Sequence, residues 1–383
     1  MDSRSRMREV DVLVVGAGPA GATTALNLAP TRRVALIDLR AQPPPRLGES
    51  LPPAARRLLN DMGLWDSFLA QGHSPCYGNR SVWGSPHPVE TDFLRDPDGH
   101  GWHVDRTRFD LWLRGIAVER GATLMALGQL ESIDWDGDCW CARVATADGL
   151  TELIARVVID AGGRASPVGR SLGARRQLGD KLVCSWLCGK ARPTHRGAGF
   201  TYVEAAEDGW WYAAPMAGGR RVLAFHTDFD LPAARLVADP RRLLERAAVN
   251  QELAAVLSES GFMPEQSGLS ADHSALLQPF AGPAWFAVGD AACSFDPLSS
   301  QGLLNALYTG LAAAEATDRH LSGASDALPE YLRTLDHVYA AYQQHLIHWY
   351  AAETRWSDKP FWQRRQTALF AAPVQSSHGN SNG

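Results

Sequence analysis

Apolar and polar positions change rhythm several times along this chain of 383 residues. Residues 12–15 form a short unbroken apolar run, the pattern of a parallel strand buried on both faces. Gly16-Ala17-Gly18-Pro19-Ala20-Gly21 follows at once, and the Ala-rich stretch 22–28 suits a helix. A second apolar run at 34–37 ends in Asp38. Strand, glycine turn, helix, strand and acid is the order of a dinucleotide-binding unit. Gly16 permits the tight turn, Gly18 lets backbone approach a pyrophosphate, and Gly21 lets helix and strand pack closely. The helix N-terminus would meet phosphates with free N–H groups and the positive end of its dipole. Asp38, 22 residues after Gly16, is placed to accept hydrogen bonds from an adenosine ribose. An acid there favours a free 2′-hydroxyl over a 2′-phosphate.

The period then shortens. Alternating runs over 123–159, with turns at Asp136-Gly137-Asp138 and Asp148-Gly149, predict antiparallel strands. Residues 157–160 lead into a second glycine turn at Ala161-Gly162-Gly163. Segments 181–190, 198–204, 210–214 and 221–229 are again strand-like and predict a β-rich lobe. The pattern is helical over 240–261, and 285–288 is a short strand leading into Gly289-Asp290. Pro297, suited to a first helical turn, predicts a long apolar helix over 298–316. A last helical stretch covers 327–356, and the Ser/Asn/Gly-rich tail from 375 predicts disorder.

Charge narrows the function classes. The 37 basic and 42 acidic residues leave a net −5, no basis for a nucleic-acid binder or a polybasic membrane anchor. No run of 18 apolar residues is present, and residues 1–10 lack the apolar stretch of a secretory signal, so a cytoplasmic location is expected. Six cysteines are too few for a disulfide scaffold. Cys139/Cys141 and Cys184/Cys188 lack a matching second pair at zinc-site spacing, so no metal centre is expected. Lysine is scarce: only Lys181, Lys190 and Lys359.

Asp290, delivered at a strand end, suits a polyol hydroxyl of a long cofactor. The helix after Pro297 would point its N-terminus at a group that gains negative charge on reduction. A flavin offers both, through its ribityl chain and its N1–C2=O edge; a nicotinamide offers neither. The set GAGPAG, Gly289-Asp290 and Pro297…Gly302 resembles the FAD enzymes related to para-hydroxybenzoate hydroxylase. Arg106-Thr107-Arg108-Phe109-Asp110 is similar to the R-x-x-F-D stretch of that superfamily, in which Arg106 would approach the flavin side.

The resemblance implies an α/β fold: a Rossmann-like FAD domain, a β-rich substrate lobe and C-terminal helices. The FAD domain would take 8–76, 98–175 and 268–320, and the lobe 77–97 and 176–267. A helical segment would cover 321–371 and a disordered tail 372–383. FAD contacts are expected from Gly16, Ala17, Gly18, Pro19, Ala20, Gly21, Asp38, Arg40, Glu49, Ser50, Arg106, Gly289, Asp290, Pro297, Gly302 and Leu303. Glu49 lines the flavin pocket or caps the following helix; both readings stand at this point.

Narrower phrases are Gly48-Glu49-Ser50-Leu51-Pro52, residues 295–302, and Tyr350…Glu353…Arg355-Trp356…Phe361-Trp362. They resemble a branch holding flavin-dependent halogenases and the flavoprotein maturases that modify Trp in quinone-cofactor enzymes. Core packing accounts equally for the C-terminal aromatics. Halogenases guide hypohalous acid with a lysine not far beyond the Gly-Glu-Ser segment, and this chain has none before Lys181. Arg is no substitute, being always charged and a poor nucleophile. The W-x-W-x-I-P signature is also altered, to Trp210-Trp211-Tyr212-Ala213-Ala214-Pro215.

The resemblance therefore implies oxygenation through a flavin C4a-hydroperoxide, with the cofactor supplying the hard chemistry. No catalytic acid or base is identified; His103, His226 and His273 read as structural or surface residues. The substrate would be a Trp in a partner protein, a quinone-cofactor enzyme precursor. The alternatives are a small aromatic metabolite, or no turnover in a flavin-bearing chaperone. Trp210, Trp211 and Tyr212 put aromatics on both faces of a strand, and one face either flanks an aromatic substrate or packs the lobe. Electrons would come from NAD(P)H directly or from an external flavin reductase.

Overall fold

The computed structural model describes residues 7–43, 49–192 and 198–367. Gly48 and the expected tail 372–383 lie outside the described residues.

The first apolar runs build the centre of an eight-stranded sheet. Met7–Val15 pairs in parallel with Val34–Asp38 on one side and Gly149–Asp160 on the other. Thr123–Ala126 and Trp285–Ala287 extend the sheet, also in parallel. Val12, Leu13, Val14 and Leu36 are fully buried, as in a parallel sheet covered on both faces, and residues of the meander such as Trp140 and Val144 share their core. The 123–159 expectation is corrected at its start: Thr123–Ala126 joins the parallel sheet. Only Gln129–Trp135, Trp140–Thr146 and Gly149–Asp160 form the antiparallel meander. A four-residue apolar run does not show by itself which neighbour it will pair with.

The β-rich lobe is a seven-stranded sheet. Its order is Met263–Ala271, Leu182–Lys190, Arg220–Asp228, Gly209–Met216, Phe200–Ala206, Gly78–Val82 and Val89–Asp92. The edge strand Met263–Ala271 runs past the expected boundary at 268. Successive side chains alternate faces, so Trp210 and Trp211 enter different cores. Trp211 packs with Phe225 toward the helices Pro232–Val237, Pro240–Ala248 and Gln251–Glu259. Trp210 packs with Tyr350, Phe361 and Trp362. The helix expected over 240–261 is two helices, because Asn250 takes an extended conformation between them.

Two helices, Ala327–Ala352 and Pro360–Thr367, strap the lobe to the parallel domain. Trp362 Nε1 donates to Ala206 O at 3.0 Å, and Trp83 Nε1 to Trp349 O at 2.7 Å. Fully buried Glu353 accepts the Gly84 N–H at 2.8 Å and the Arg355 guanidinium at 2.6 Å. The C-terminal aromatic phrase is therefore packing.

The helix expected from Pro297 is also corrected. Pro297–Ser299 is a single 3-10 turn. Ser300 then adopts a left-handed conformation (φ 52°), which no α-helix can propagate through, and the helix proper is Gly302–Leu321. The helix first expected over 22–28 likewise begins earlier, as Pro19–Leu28.

Candidate functional site

The glycine turn divides into structural and open positions. Gly16 has φ +108°, and a Cβ there would lie 2.2 Å from Ala161 O. A Cβ on Gly21 would lie 1.9 Å from Gly16 O. These two glycines are demanded by the folding of the turn itself. A Cβ on Gly18 would meet nothing within 4 Å, so the turn presents bare backbone there. Gly18 is also the N-cap of Pro19–Leu28, and no side chain caps that helix. Its free N–H groups suit an anion.

Asp38 closes the same loop. Its carboxylate accepts the Ala17 and Arg40 N–H groups, each at 2.8 Å, and Arg114 Nη2 at 3.1 Å. A carboxylate offers about four lone-pair sites, so one on Oδ1 is left for a ribose hydroxyl. Arg114 also donates to Ala17 O (2.6 Å) and Arg40 O (3.3 Å). It comes from the helix Arg106–Glu119 and was not foreseen. Its signal was present: Arg106, Asp110 and Arg114 recur every four residues, and all three are buried.

The second half of the site is locked against the first. Gly289 N–H donates to Thr309 Oγ1 at 2.9 Å. A Cβ on Gly289 would lie 2.9 Å from Ala20 Cβ, and one on Gly310 2.5 Å from Ala20 O. The first helix, the Gly289 turn and the helix Gly302–Leu321 thus meet at backbone distance. Ala20 and Leu303 are buried packing residues there, and Pro19 opens the first helix. Asp290 is 38 % exposed at its side chain, with Arg164 Nε at 3.8 Å and no hydrogen bond to its carboxylate from the described residues. Pro297 lies in the turn just before Gly302. Gly302 carries no neighbour within 4 Å of a would-be Cβ, and its helix has no side-chain cap.

Glu49 sits in the strand Glu49–Leu51, paired to Gly101–Val104, and caps nothing; the next helix has Ala54 at its N-cap with no side-chain bond. Instead Glu49 binds Arg106. Arg106 is also clamped by Asp110, with Nε–Oδ1 at 3.1 Å and Nη2–Oδ2 at 3.2 Å. Burial works against its charge, but Glu49, Asp110 and Asp290 outweigh burial and hold it protonated. Its guanidinium is thus committed largely to protein carboxylates. Ser50 turns the other way, 3.2 Å from Thr201 Oγ1, which His103 Nε2 approaches at 3.0 Å. Cys76 Sγ is 3.8 Å from the same hydroxyl. Burial pushes His103 down to about 4, and the nearby Arg221 charge acts in the same direction.

The open groups suit FAD in sequence. Bare backbone at Gly18 and a free helix end suit the pyrophosphate, and the spare Asp38 lone pair the ribose. The unbonded Asp290 carboxylate suits a ribityl hydroxyl, and the uncapped Gly302 helix a reducible ring edge. Among the described residues no helix is long and apolar enough to cross a membrane.

Comparisons with known proteins agree. A family described as an FAD binding domain matches residues 9–326. A putative FAD-dependent oxidoreductase, LodB of Marinomonas mediterranea, is 28% identical over 365 residues, 94% of this chain and 97% of that one. Two fungal halogenases that also match are longer, the chain spanning 65% and 62% of them. Among solved structures, the myxobacterial chondrochloren halogenase CndH superposes with TM-score 0.84 at 25% identity, over 94% of this chain and 86% of that one. The peptidyl tryptophan dihydroxylase QhpG shares the fold, with TM-score 0.75 at 24% identity over 94% and 79%. A cofactor cradle left open where FAD needs it, inside a matched span of this length, makes the chain a member of the FAD-binding domain family and an FAD-dependent oxidoreductase.

Proposed function

We propose that the protein is an FAD-dependent monooxygenase that hydroxylates a tryptophan side chain of a partner protein on the way to a quinone cofactor. The observation that favours oxygenation over halogenation is where the lysines are. Lys181 pairs with Asp230 at 2.7 Å, Lys190 with Glu265 at 3.2 Å, and Lys359 with Glu207. Beyond the strand Glu49–Leu51, where a halogenase needs its lysine, the converging side chains are Ser50, Cys76, His103 and Thr201. With His103 down at about 4, none of these four is a cation at neutral pH, and the charge beside them is the Arg221 guanidinium, which is no nucleophilic amine. The similarity to halogenases is the argument for the competing reading, and this cluster is the argument against it.

Reduced FAD supplies activation of dioxygen for transfer of an oxygen atom to an electron-rich ring. The chain's own residues bind and orient. Gly18 and its helix would take the pyrophosphate, Asp38 the ribose and Asp290 the ribityl chain. The Gly302 helix end would hold charge that gathers on the reduced ring. Arg106 holds Glu49 through their ion pair. A cleft of about 200 Å³ opens beside Arg106, lined by Trp186, Cys188, Met216, Arg220 and Gln266. It is smaller than the usual ~300–1,000 Å³ of a small-molecule pocket and suits one inserted aromatic side chain. The fold shared with a peptidyl tryptophan dihydroxylase supports the same substrate class.

The test is tagged purification from the native host in labelled dioxygen, followed by peptide masses of any co-purifying protein. A Trp peptide that gains one or two labelled oxygen atoms only when the enzyme holds FAD is the expected result. A bound small aromatic that takes the label instead would move the activity to a metabolite. Halide incorporation would restore the halogenase reading, and a stoichiometric partner with no added oxygen would leave a chaperone.

A further inference from the structure

The substrate sheet carries a cluster that flavin chemistry does not use. Cys184 and His226 stand opposite each other across the pairing of Leu182–Lys190 with Arg220–Asp228. Asp272 is the first residue beyond the edge strand Met263–Ala271. One ligand atom from each lies within 4.8 Å of the others, the one such group of metal-ligating side chains among the described residues. Cys184 and His226 are buried. His226 Nε2 is 3.2 Å from Asp272 Oδ2, and Trp210 stacks flat on the imidazole, 3.8 Å between centroids and 7° between planes. Two paired strands therefore place Cys184 and His226, the Trp210 ring holds the imidazole, and Asp272 follows directly on the edge strand.

The donor set has the chemistry of a borderline-soft cation: sulfur, imidazole nitrogen and carboxylate oxygen. The nitrogen–oxygen spacing, which a direct His226–Asp272 hydrogen bond also gives, is compatible with a shared ion. Bonds of about 2.0–2.1 Å to nitrogen and oxygen at a tetrahedral centre put those atoms about 3.3 Å apart, against 3.2 Å here. Charge closes as well. A divalent cation with an ionised Asp272, a Cys184 thiolate and a neutral His226 is a neutral assembly, which lowers the cost of burying each charge.

We propose that Cys184, His226 and Asp272 form a binding site for a divalent cation of the zinc type, with the fourth position open to water. Binding releases the Cys184 thiol proton to solvent and forms metal–sulfur, metal–nitrogen and metal–oxygen bonds, with no change of oxidation state. The cation would pin the exposed edge strand to its two inner neighbours. This site is independent of the reaction proposed above.

The test uses the full-length, FAD-loaded protein after dialysis against chelator. Zinc is measured by elemental analysis, and cobalt(II) is titrated as a spectroscopic probe. About one metal per chain is expected, with intense ligand-field bands to the red of the flavin absorption and a thiolate charge-transfer band. Cys184→Ser should abolish the charge-transfer band. Asp272→Asn should weaken cobalt binding about tenfold or more while the flavin spectrum stays unchanged. If Cys184→Ser fails to fold, Asp272→Asn decides alone. Wild-type protein that binds no stoichiometric metal, or variants that bind as tightly as wild type, overturn the site.

Discussion

Arg114 grips Asp38 with Nη2 at 3.1 Å while its Nε holds the Ala17 carbonyl at 2.6 Å. One buried side chain on a helix nearly a hundred residues away thus sets both the acid that would meet the ribose and the loop that would meet the pyrophosphate. Arg114→Met leaves the Asp38 carboxylate and two backbone carbonyls without that donor. Breaking a buried pair from one side costs about 3–5 kcal/mol. The expected outcome is a lower urea midpoint and FAD lost on gel filtration. Arg114→Lys should not restore binding, because one ammonium cannot reproduce the fork. Wild-type flavin content in either variant would sink this account.

The glycines separate folding from binding. Gly16→Ala drives a Cβ to 2.2 Å from Ala161 O at φ +108°, so little folded protein is expected. Gly18→Ala has open space and an ordinary φ of −72°, so stability should change by less than about 1 kcal/mol while FAD affinity falls about tenfold or more. Calorimetry on the apo form and flavin titration distinguish the two. Equal effects on both quantities would contradict the assignment of Gly18 to the ligand side.

Asp290 is partly exposed and has no hydrogen bond to protein among the described residues, so Asp290→Ala should leave the apo fold within about 0.5 kcal/mol of wild type. Its effect should fall on the cofactor. The purified variant is expected to emerge largely free of FAD, read from its visible spectrum. Occupancy equal to wild type would remove Asp290 from the cofactor site.

Asp296 is buried under Tyr350, whose hydroxyl donates to Oδ2 at 2.7 Å, and it accepts the Leu298 N–H at 2.9 Å. Burial pushes its carboxyl up to about 6. A raised carboxyl favours the protonated folded state. Its contribution is fully present below the unfolded value near 3.8 and is lost as pH rises through about 6. Relative to Asp296→Asn, wild type should therefore gain stability as pH falls from 7 to 4, by up to about 3 kcal/mol. Urea unfolding of both proteins across that range gives the difference; a flat difference would show that Asp296 stays ionised.

Local pattern carried the parallel core and the cofactor turn into view. Residues 12–15, the glycines and Asp38 are adjacent in sequence, and each has a steric or charge reason that needs no distant partner. Residues 123–126 look identical whether they pair in parallel or antiparallel, so their place in the sheet was not visible. Ser300 gave no sign of the left-handed step that delays the helix to Gly302. Trp210-Trp211-Tyr212 announced a strand, but which core would receive each ring depended on what covered each face.

The sequence by itself determined the dinucleotide turn, the acid at Asp38, the flavin-type pair Gly289-Asp290 and the scarcity of lysine. These follow from residue type and short spacing, which govern sterics and charge within one turn or one strand. Tertiary structure alone decided that Arg114 serves the loop, that Glu49 binds Arg106 and caps nothing, and that Cys184, His226 and Asp272 meet. The last three stand 42 and 46 residues apart in sequence. Strand pairing closes such distances, and a pairing register is set by the faces that two whole segments bury together.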